Sequence, residues 1–413
     1  MRKLNYFPLV VLVIFSVLLD YYVFGGVQAL AGILSGRRPV GYILYWLLSG
    51  AILFAFIYML SRVFPARKFS LIFNISFNTF LTVFVSKLVF AAMLFGEDIY
   101  RLVVTAIDLF RPGTTQMPHR SALFSQIALV TSAIPFFSFL FGITWGKYYY
   151  RVRRTVIFFD DLPSEFENFT IAQISDIHAG SFNNSKAVQR GVNLISAQNP
   201  DLLVFTGDLV NNKASEIVPY IEMLKQVNAP YGKYSILGNH DYGDYMSWEN
   251  LEEKRLNLMM LKHYHAEMGF RLLLDEHAQV KKDGQQISVL GVENWGKGFG
   301  ERGDLKKALN GVDGRDFKIL LSHDPSHWDA QVKNNPIKIH LTFSGHTHGM
   351  QFGIEIGKFK WSPAKYRYQN WAGLAKFNDR YLYVNRGFGF LGFAGRIGIW
   401  PEITIIHLKR SVN

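Results

Sequence analysis

The sequence predicts an α/β (α+β) protein in which four membrane-spanning helices precede a soluble domain. Apolar residues make up 49% and aromatic residues 15% of the 413 residues, which is rich for a soluble protein and indicates a membrane part. Up to about residue 150 the apolar segments are long enough to cross a bilayer. After it, short apolar runs alternate with helical patterns, as in α/β domains. We therefore expect a transmembrane domain at residues 1–150 and a soluble domain at residues 151–413.

Four segments of the first domain are predicted to span the membrane, because each supplies about 20 mainly apolar residues. They are Leu4–Val23, Pro39–Ser61, Phe69–Phe95 and Ser121–Gly146. The first segment also resembles a signal peptide, with Ala29-Leu30-Ala31 in the place of a cleavage site. Because three further spans follow, we expect an uncleaved first span.

Charged and amphipathic features accompany these spans. Asp20 and Lys87 lie within or beside spans, and we expect either a mutual ion pair or side chains that reach the membrane surface. The stretch Ile99–Phe110 places its apolar residues at a helical period. It is therefore expected either to lie in the membrane interface or to extend the third span.

The distribution of basic residues predicts the orientation in the membrane. Residues 1–150 hold twelve Lys and Arg against four Asp and Glu, so most of the net charge of +12 flanks the spans, and no nucleic-acid partner is expected. One side of the membrane receives nine basic residues, namely Arg2, Lys3, Arg62, Arg67, Lys68, Lys147, Arg151, Arg153 and Arg154. The other side receives five, namely Arg37, Arg38, Arg101, Arg111 and Arg120. The positive-inside rule then predicts a multi-pass protein whose N-terminus and soluble domain face the cytoplasm. Lys147–Arg154, with its tyrosines and basic residues, is interpreted as an interfacial anchor.

Five apolar runs of the soluble domain each end in Asp, His or Asn side chains. The polar residues are Asp176 and His178, then Asp208, then Asn239, His240 and Asp241, then His323 and Asp324, and last His346 and His348. Because ligands bind outside the carboxyl ends of strands in α/β sheets, we expect these side chains to converge. His346 and His348, two residues apart, point in different directions and can serve two different ions. The absence of Cys excludes a thiolate metal site and a catalytic thiol.

Other elements follow from the same periodicities. Helices are expected at Ala187–Ala197, Ser215–Val227 and Trp248–Met268. Further strands are expected at Ala278–Val280, Ile287–Leu290, Tyr381–Val384 and Ile403–His407, the first two joined by a hairpin turn at Lys281–Gly284.

The ordered motifs Asp-x-His, Gly-Asp, Gly-Asn-His-Asp, His and Gly-His-x-His resemble those of the calcineurin-like metallophosphoesterase superfamily. The N-terminal spans and the closing segments Tyr383–Gly389 and Pro401–Thr404 are similar to its bacterial transmembrane subgroup, which includes UDP-2,3-diacylglucosamine hydrolase-type phosphohydrolases. The resemblance implies that residues 151–413 form a metallophosphoesterase β-sandwich flanked by helices, and that this domain is catalytic.

The resemblance also implies a site with two divalent metal ions. Asp176, His178, Asp208 and His348 would hold the first ion. Asp208, Asn239, His323 and His346 would hold the second, so that Asp208 bridges the two. This set of imidazole, carboxylate and amide ligands suits manganese, which we expect, and also iron or zinc.

The resemblance implies a catalytic role for His240, whose counterpart in the family protonates or stabilises the leaving oxygen. Phosphatase relatives support that histidine with an acid, and here Asn211 takes the acid's place. An amide stabilises an imidazolium less well than a carboxylate does, so Asp241 or another carboxylate is a candidate substitute.

The expected activity is hydrolysis of a phosphoester or pyrophosphate by a membrane-embedded binuclear enzyme. A lipid-linked substrate such as UDP-2,3-diacylglucosamine is favoured because the spans keep the site near the bilayer. The alternatives are a phosphodiesterase acting on a soluble nucleotide, and a membrane transporter or sensor regulated by a metallophosphoesterase-like domain. The sequence makes no prediction of the oligomeric state.

Three residues are candidates for substrate binding, namely Arg386, Arg396 and Trp361. Trp361 belongs to the stretch 358–371, which interleaves basic and aromatic residues and is expected to contact a nucleobase or an anionic headgroup, or to be a solvated loop. The two arginines flank the stretch Gly387–Gly395, which is expected either to enter the membrane or line an acyl groove, or to form a turn of the core.

Overall fold

The computed structural model describes residues 7–31, 38–66, 71–110, 116–357 and 359–411. The chain divides into two compact units, Met1–Ile143 and Thr144–Asn413. The helices of the first are α1 (Phe7–Ala31), α2 (Arg38–Ala66), α3 (Leu71–Asp108) and α4 (Ala122–Thr144, whose last residue opens the second unit). The helices of the second are α5 (Ser185–Ser196), α6 (Ile221–Lys225), α7 (Leu251–Glu267) and α8 (Leu305–Leu309).

Within the described residues, four helices are long and apolar enough to cross a membrane, and they are α1–α4. The four predicted spans are therefore confirmed, although their ends differ. The third helix continues to Asp108, so most of the amphipathic stretch Ile99–Phe110 extends the third span. Of the basic residues that predict the orientation, Arg2, Lys3, Arg37, Arg67, Lys68 and Arg111 lie outside the described residues.

Asp20 and Lys87 of the first unit are paired with each other and with neighbouring polar side chains. Lys87 forms an ion pair with Asp20 and lies 2.8 Å from Ser49 Oγ. The Tyr45 hydroxyl donates to Asp20 Oδ1 at 3.1 Å. The expected mutual pair of Asp20 and Lys87 is thus the arrangement found, which lowers the cost of charge inside a bilayer.

The strands of the second unit form, in the described part of this unit, two six-stranded sheets and two short ribbons. The first sheet has the order β1-β16-β2-β3-β4-β5. Its strands are β1 (Arg151–Phe159), β2 (Thr170–Ile174), β3 (Leu202–Phe205), β4 (Lys233–Ser235), β5 (Arg271–Leu272) and β16 (Glu402–Arg410). The second sheet has the order β14-β15-β11-β10-β7-β6. Its strands are β6 (Glu276–Lys282), β7 (Gln285–Gly291), β10 (Phe317–Leu321), β11 (Leu341–Ser344), β14 (Gly373–Phe377) and β15 (Arg380–Val384). The ribbons pair β8 (Trp295–Gly296) with β9 (Gly300–Glu301), and β12 (Ile354–Ile356) with β13 (Phe359–Trp361).

The two sheets pack face to face, which confirms the predicted sandwich. Their shared core contains Ile171 and Val204 from the first sheet and Ile319, Leu341 and Phe343 from the second. Helices α5–α7 cover the outer face of the first sheet, and α8 covers the second. Strands β2–β4 are parallel to one another, as are β10 and β11, so each group delivers its carboxyl ends to one edge.

The interpretation of Lys147–Arg154 as an interfacial anchor is corrected by the structure. Tyr148 and Tyr150 are buried in the core of the second unit, and Arg151 begins β1. Strand β1 pairs in parallel with β16 at the far end of the chain. A pairing over such a sequence distance leaves no local signal, so the tyrosines and arginines looked like membrane-flanking residues.

The predicted helix Ser215–Val227 is also different in the structure. It consists of two 3₁₀ turns, Ala214–Glu216 and Val218–Tyr220, followed by the short helix α6. Pro219 lies at the start of the second turn, where its missing N–H interrupts a continuous α-helix.

The stretch Gly387–Gly395 supplies side chains to the core. Phe388 and Phe390 are buried among residues of α5 and the first sheet, and the Phe388 ring lies 4.5 Å from the Tyr150 ring. Of the two expectations for this stretch, the core turn is the one that the structure supports.

We predict that Phe388→Ala lowers the free energy of unfolding by about 3–5 kcal/mol, because it removes a buried ring and leaves a cavity. The measurement is urea unfolding of the detergent-solubilised chain followed by near-UV circular dichroism. Phe377→Ala, at an exposed position that ends β14, is the matched control and is expected to cost about 0.5 kcal/mol. Equal losses for the two variants would contradict the core assignment.

Candidate metal centre

The polar side chains predicted to converge do lie at one edge of the sandwich. Asp176 and His178 follow β2, Asp208 follows β3, and Asn239 follows β4. His323 follows β10, and His346 and His348 follow β11. The first sheet thus supplies four of these residues and the second sheet three, so the site depends on the packing of both sheets.

Two groups of these side chains, among the residues that the structure describes, have the geometry of metal sites. They are Asp176, His178 and His348, and Asp208, His323 and His346. In each group the ligand atoms lie within 4.8 Å of one another. Both groups are almost fully buried, which is unusual for ionisable side chains without a partner of opposite charge.

Asp208, a member of the second group, also faces the first group. Its Oδ2 atom is 3.5 Å from Nε2 of His178 in one group and 3.3 Å from Nε2 of His323 in the other. Asn239 joins the second group, because its Oδ1 atom lies 3.2 Å from His323 Nε2. All seven predicted ligands therefore lie together, and their role in metal binding stays a prediction.

Backbone strain is concentrated at these residues. Five of the seven have a positive φ, which L side chains adopt at a cost of roughly 1 kcal/mol each. They are Asp176 (52°), His178 (47°), Asp208 (59°), His346 (68°) and His348 (48°). Strain of this kind persists where the surrounding structure imposes it and is typical of functional sites.

Oxygen atoms orient three of the four histidines. The Nδ1 atom of His178 lies 3.1 Å from Asn211 Oδ1, and Nδ1 of His323 lies 2.7 Å from the Thr206 carbonyl oxygen. The Nε2 atom of His346 contacts the Tyr368 hydroxyl at 2.9 Å. Each contact occupies one ring nitrogen and leaves the other to bind a cation, as is usual for metal-binding histidines.

Asn211 and Asp241 have roles that the sequence did not indicate. Asn211 orients His178 with its side chain, while its carbonyl oxygen contacts His240 Nδ1 at 2.9 Å. The Asp241 carboxylate does not support His240, because it accepts backbone N–H groups of Gly238 (2.8 Å) and Asp208 (2.9 Å). It therefore ties the loops after β3 and β4 together.

Three further residues contact the predicted ligands, and the sequence predicted no role for them. Asp324 Oδ2 lies 3.3 Å from His346 Nε2 and accepts from the Tyr368 hydroxyl at 3.3 Å. The Tyr245 ring stacks on His240 at 4.3 Å, and its hydroxyl accepts from Asn239 Nδ2 at 2.8 Å. Asp324 directly follows the predicted ligand His323, and this was the available signal. The two tyrosines come from loops that carry no recognisable motif.

The electrostatics of the site fit divalent cations. Burial lowers the pKa of His346 to about 4 and the pKa of His178 well below its usual value, so both are neutral at pH 7 and offer a lone pair. Burial also acts to lower the pKa of His323, but the Asp208 and Asp176 carboxylates outweigh it and raise that pKa to about 10. Carboxylates that hold a proton on His323 so firmly also attract a metal ion. The donor set of nitrogen and oxygen atoms without sulfur suits manganese, iron or zinc.

The three candidate substrate contacts lie in different surroundings. Arg386 is buried and pairs with Glu402 at 2.5 Å and with Glu355 at 2.5 Å. Arg396 is fully buried, donates to the carbonyl oxygens of Gly387 (3.1 Å) and Gly389, and lies 3.2 Å from His348 Nδ1. Trp361 lies in β13, edge-on to Phe352. Protein groups already engage both guanidinium groups, and contact of these three with a substrate stays a prediction.

Comparisons with known proteins agree with this architecture. Residues 169–350 match the family model "Calcineurin-like phosphoesterase", and residues 3–147 match "Probable Calcineurin-like phosphoesterase, transmembrane domain". An uncharacterized metallophosphoesterase of Bacillus subtilis, YkuE, is 30% identical over 60% of this chain and 82% of its own length. A Danio rerio transmembrane protein with a metallophosphoesterase domain is 30% identical over 61% of this chain and 56% of its own length. The UDP-2,3-diacylglucosamine pyrophosphatase LpxG of Chlamydia muridarum is 28% identical over 60% of this chain and 86% of its own length.

The chain belongs to the calcineurin-like phosphoesterase family. It is a metal-dependent phosphohydrolase and an integral membrane protein with an N-terminal transmembrane domain.

We predict that Gly345→Ala disrupts the site, because an added Cβ would lie 2.0 Å from Ser175 Oγ and 2.3 Å from Asp176 Oδ2. Displacement of Asp176 should lower metal-dependent hydrolysis of a soluble phosphodiester by about 10–100-fold. Gly314→Ala, where an added Cβ meets open space, is the matched control. Unchanged hydrolysis in Gly345→Ala would show that the close approach of this loop to Asp176 is not required.

Proposed function

We propose that this protein is a binuclear, manganese-dependent phosphohydrolase that cleaves a phosphoester or pyrophosphate of a lipid-linked substrate. In this proposal residues 1–150 form the membrane domain and residues 151–413 the catalytic domain, which faces the cytoplasm from a bacterial inner membrane. The orientation is tested with a C-terminal reporter enzyme that works only outside the cytoplasm, and we expect it to be inactive.

The observation that carries the proposal is the position of Asp208. One of its oxygen atoms faces a histidine of each ligand group, at 3.5 Å and 3.3 Å. A carboxylate placed in this way can bridge two cations, and paired cations are typical of enzymes that hydrolyse phosphate esters. When bound, the two ions supply an activated water and neutralise charge on the phosphoryl oxygens.

The residues of this chain fix where each ion would bind. Asp176, His178 and His348 would hold one, and His323, His346 and Asn239 the other, with Asp208 shared. Asn239 presents its oxygen to this position because its Nδ2–H donates to the Tyr245 hydroxyl. The amide orientation is therefore determined by a neighbouring side chain.

His240 is placed to act as the general acid. Its backbone N–H donates to Asp208 Oδ1 at 2.9 Å, which ties the residue to the shared carboxylate. Because a carbonyl oxygen only accepts, the contact with Asn211 requires a proton on Nδ1 of His240. In the protonated ring, Nε2–H is then the group that can protonate the leaving oxygen. The stacked Tyr245 ring restricts the rotation of the imidazole.

A lipid-linked substrate is supported by two findings. The transmembrane domain keeps the catalytic domain at a bilayer. One relative, LpxG of Chlamydia muridarum, carries the name UDP-2,3-diacylglucosamine pyrophosphatase. UDP-2,3-diacylglucosamine is therefore the first substrate to test.

The test measures hydrolysis by the full chain, purified in detergent and supplied with manganese. We expect faster cleavage of UDP-2,3-diacylglucosamine than of a soluble cyclic nucleotide or a soluble phosphodiester. Asp208→Asn should lose at least about 100-fold on every substrate, because it weakens both ligand groups. A preference for the cyclic nucleotide would contradict the lipid-linked substrate and would identify a soluble nucleotide as the substrate class. Full activity of Asp208→Asn would refute the shared metal site.

We predict that His240→Asn lowers turnover by about 10²–10⁴-fold while manganese content stays the same, since the imidazole is placed to donate a proton rather than to bind metal. Metal content is measured by mass spectrometry on the purified protein. The loss should shrink for a substrate whose leaving group needs no protonation, such as a nitrophenyl ester. An equal loss on nitrophenyl and alkyl esters would argue against the acid role.

A further inference from the structure

The ribbon β12–β13 exposes apolar side chains, while protein groups engage its charged ones. Ile356 is 73% exposed, Phe359 is 62% exposed and Ile354 is 47% exposed. The strand pairs are Ile354 with Trp361 and Ile356 with Phe359. Since paired residues, and residues two apart, share one face of a ribbon, these four side chains form a single apolar face.

The opposite face of the ribbon is polar, and the charged ends of its side chains contact protein groups. Glu355 forms ion pairs with Arg153 and Arg386. Its strand partner Lys360 donates to the Ala372 carbonyl oxygen at 2.7 Å. A sheet with one solvated face normally turns its apolar residues to the core, whereas this ribbon exposes them. An exposed apolar face of this kind marks an interaction site.

The chain around the ribbon is basic. Between Glu355 and Asp379 the sequence contains Lys358, Lys360, Lys365, Arg367 and Lys376, and no Asp or Glu. Tyr366 is 76% exposed among these basic residues. Exposed apolar, aromatic and basic side chains in one segment are typical of surfaces that enter the interface of an anionic membrane.

Chain connectivity limits how far this ribbon can lie from the bilayer. Thr144 ends the membrane-spanning helix α4, and Arg153 lies nine residues further along, in β1. Nine residues span at most about 30 Å. The ion pair between Arg153 and Glu355 ties the ribbon to this first strand after the membrane.

We propose that the apolar face of β12–β13, formed by Ile354, Ile356, Phe359 and Trp361, inserts into the interface of the bilayer that holds the transmembrane helices. The inference rests on those helices and not on the proposed substrate. The ribbon is also braced against the loop of His346 and His348, because Ser362 Oγ donates to the Gly349 carbonyl oxygen at 2.6 Å. Insertion of the ribbon therefore fixes one side of the metal centre at the membrane surface.

The absence of Cys from the sequence allows a direct test on the full chain. Ile356→Cys is labelled with a small fluorophore and reconstituted into nanodiscs of phosphatidylethanolamine and phosphatidylglycerol, with and without lipids that carry a nitroxide on the acyl chain. At a depth of about 5–10 Å the label should be quenched more than about twofold by the nitroxide lipids. Leu251→Cys, at an 86% exposed apolar residue that begins α7, is the matched control and should be quenched much less.

A second substitution separates insertion from misfolding. Phe359→Asp in the labelled Ile356→Cys chain should abolish the additional quenching, while hydrolysis of a soluble phosphodiester is retained. Quenching at residue 356 no greater than at residue 251 would overturn the proposal. Cross-linking of two Ile356→Cys chains through a disulfide, without quenching by lipid, would also overturn it and would identify a second copy of the chain as the occupant.

Discussion

The catalytic domain depends on the contacts that the Asp208 carboxylate makes. It is buried, it lies within 3.5 Å of histidines from both sheets, and it accepts the backbone N–H of His240. An isolated buried carboxylate would be strongly unfavourable, so its surroundings must offer positive charge. His323 supplies this charge in part, and the pKa of Asp208 is held well below its usual value, because its histidine partners outweigh the effect of burial. In the proposed binuclear site, divalent cations supply the rest.

The sandwich explains how such a carboxylate becomes buried among so many histidines. The ligands come from loops at the carboxyl ends of strands in two different sheets, and these loops meet only when the shared apolar core is formed. The strained backbone of five ligand residues is maintained by contacts such as the Asp241 carboxylate, which binds the loops after β3 and β4 to each other. Stability of the core and geometry of the site are therefore linked, although no core residue needs to contact a metal ion.

The sequence allowed the membrane spans and the convergence of seven polar side chains to be predicted, and the resemblance of its motifs to a known family implied the sandwich. Apolar length is sufficient for a span, and Asp, His or Asn after five strands predicts that these side chains meet at the carboxyl ends of the strands. It did not allow Tyr245 and Tyr368 to be found, because their contacts with Asn239 and His346 depend on how distant loops fold. The buried Phe388 and Phe390 were indistinguishable from membrane-facing residues, since both environments are apolar. The exposed apolar face of β12–β13 could be recognised only when the strand pairing and the partners of Glu355 and Lys360 were known.

The number of manganese ions bound by three forms of the full chain tests the central claim most directly. The shared position of Asp208 predicts two ions per wild-type chain, with the exchange-coupled electron paramagnetic resonance signal of a manganese pair. His346→Ala and His348→Ala should each retain one ion and show the uncoupled signal of a single manganese, because the two histidines belong to different ligand groups. One ion per wild-type chain, or two coupled ions in either histidine variant, would contradict a metal pair bridged by Asp208.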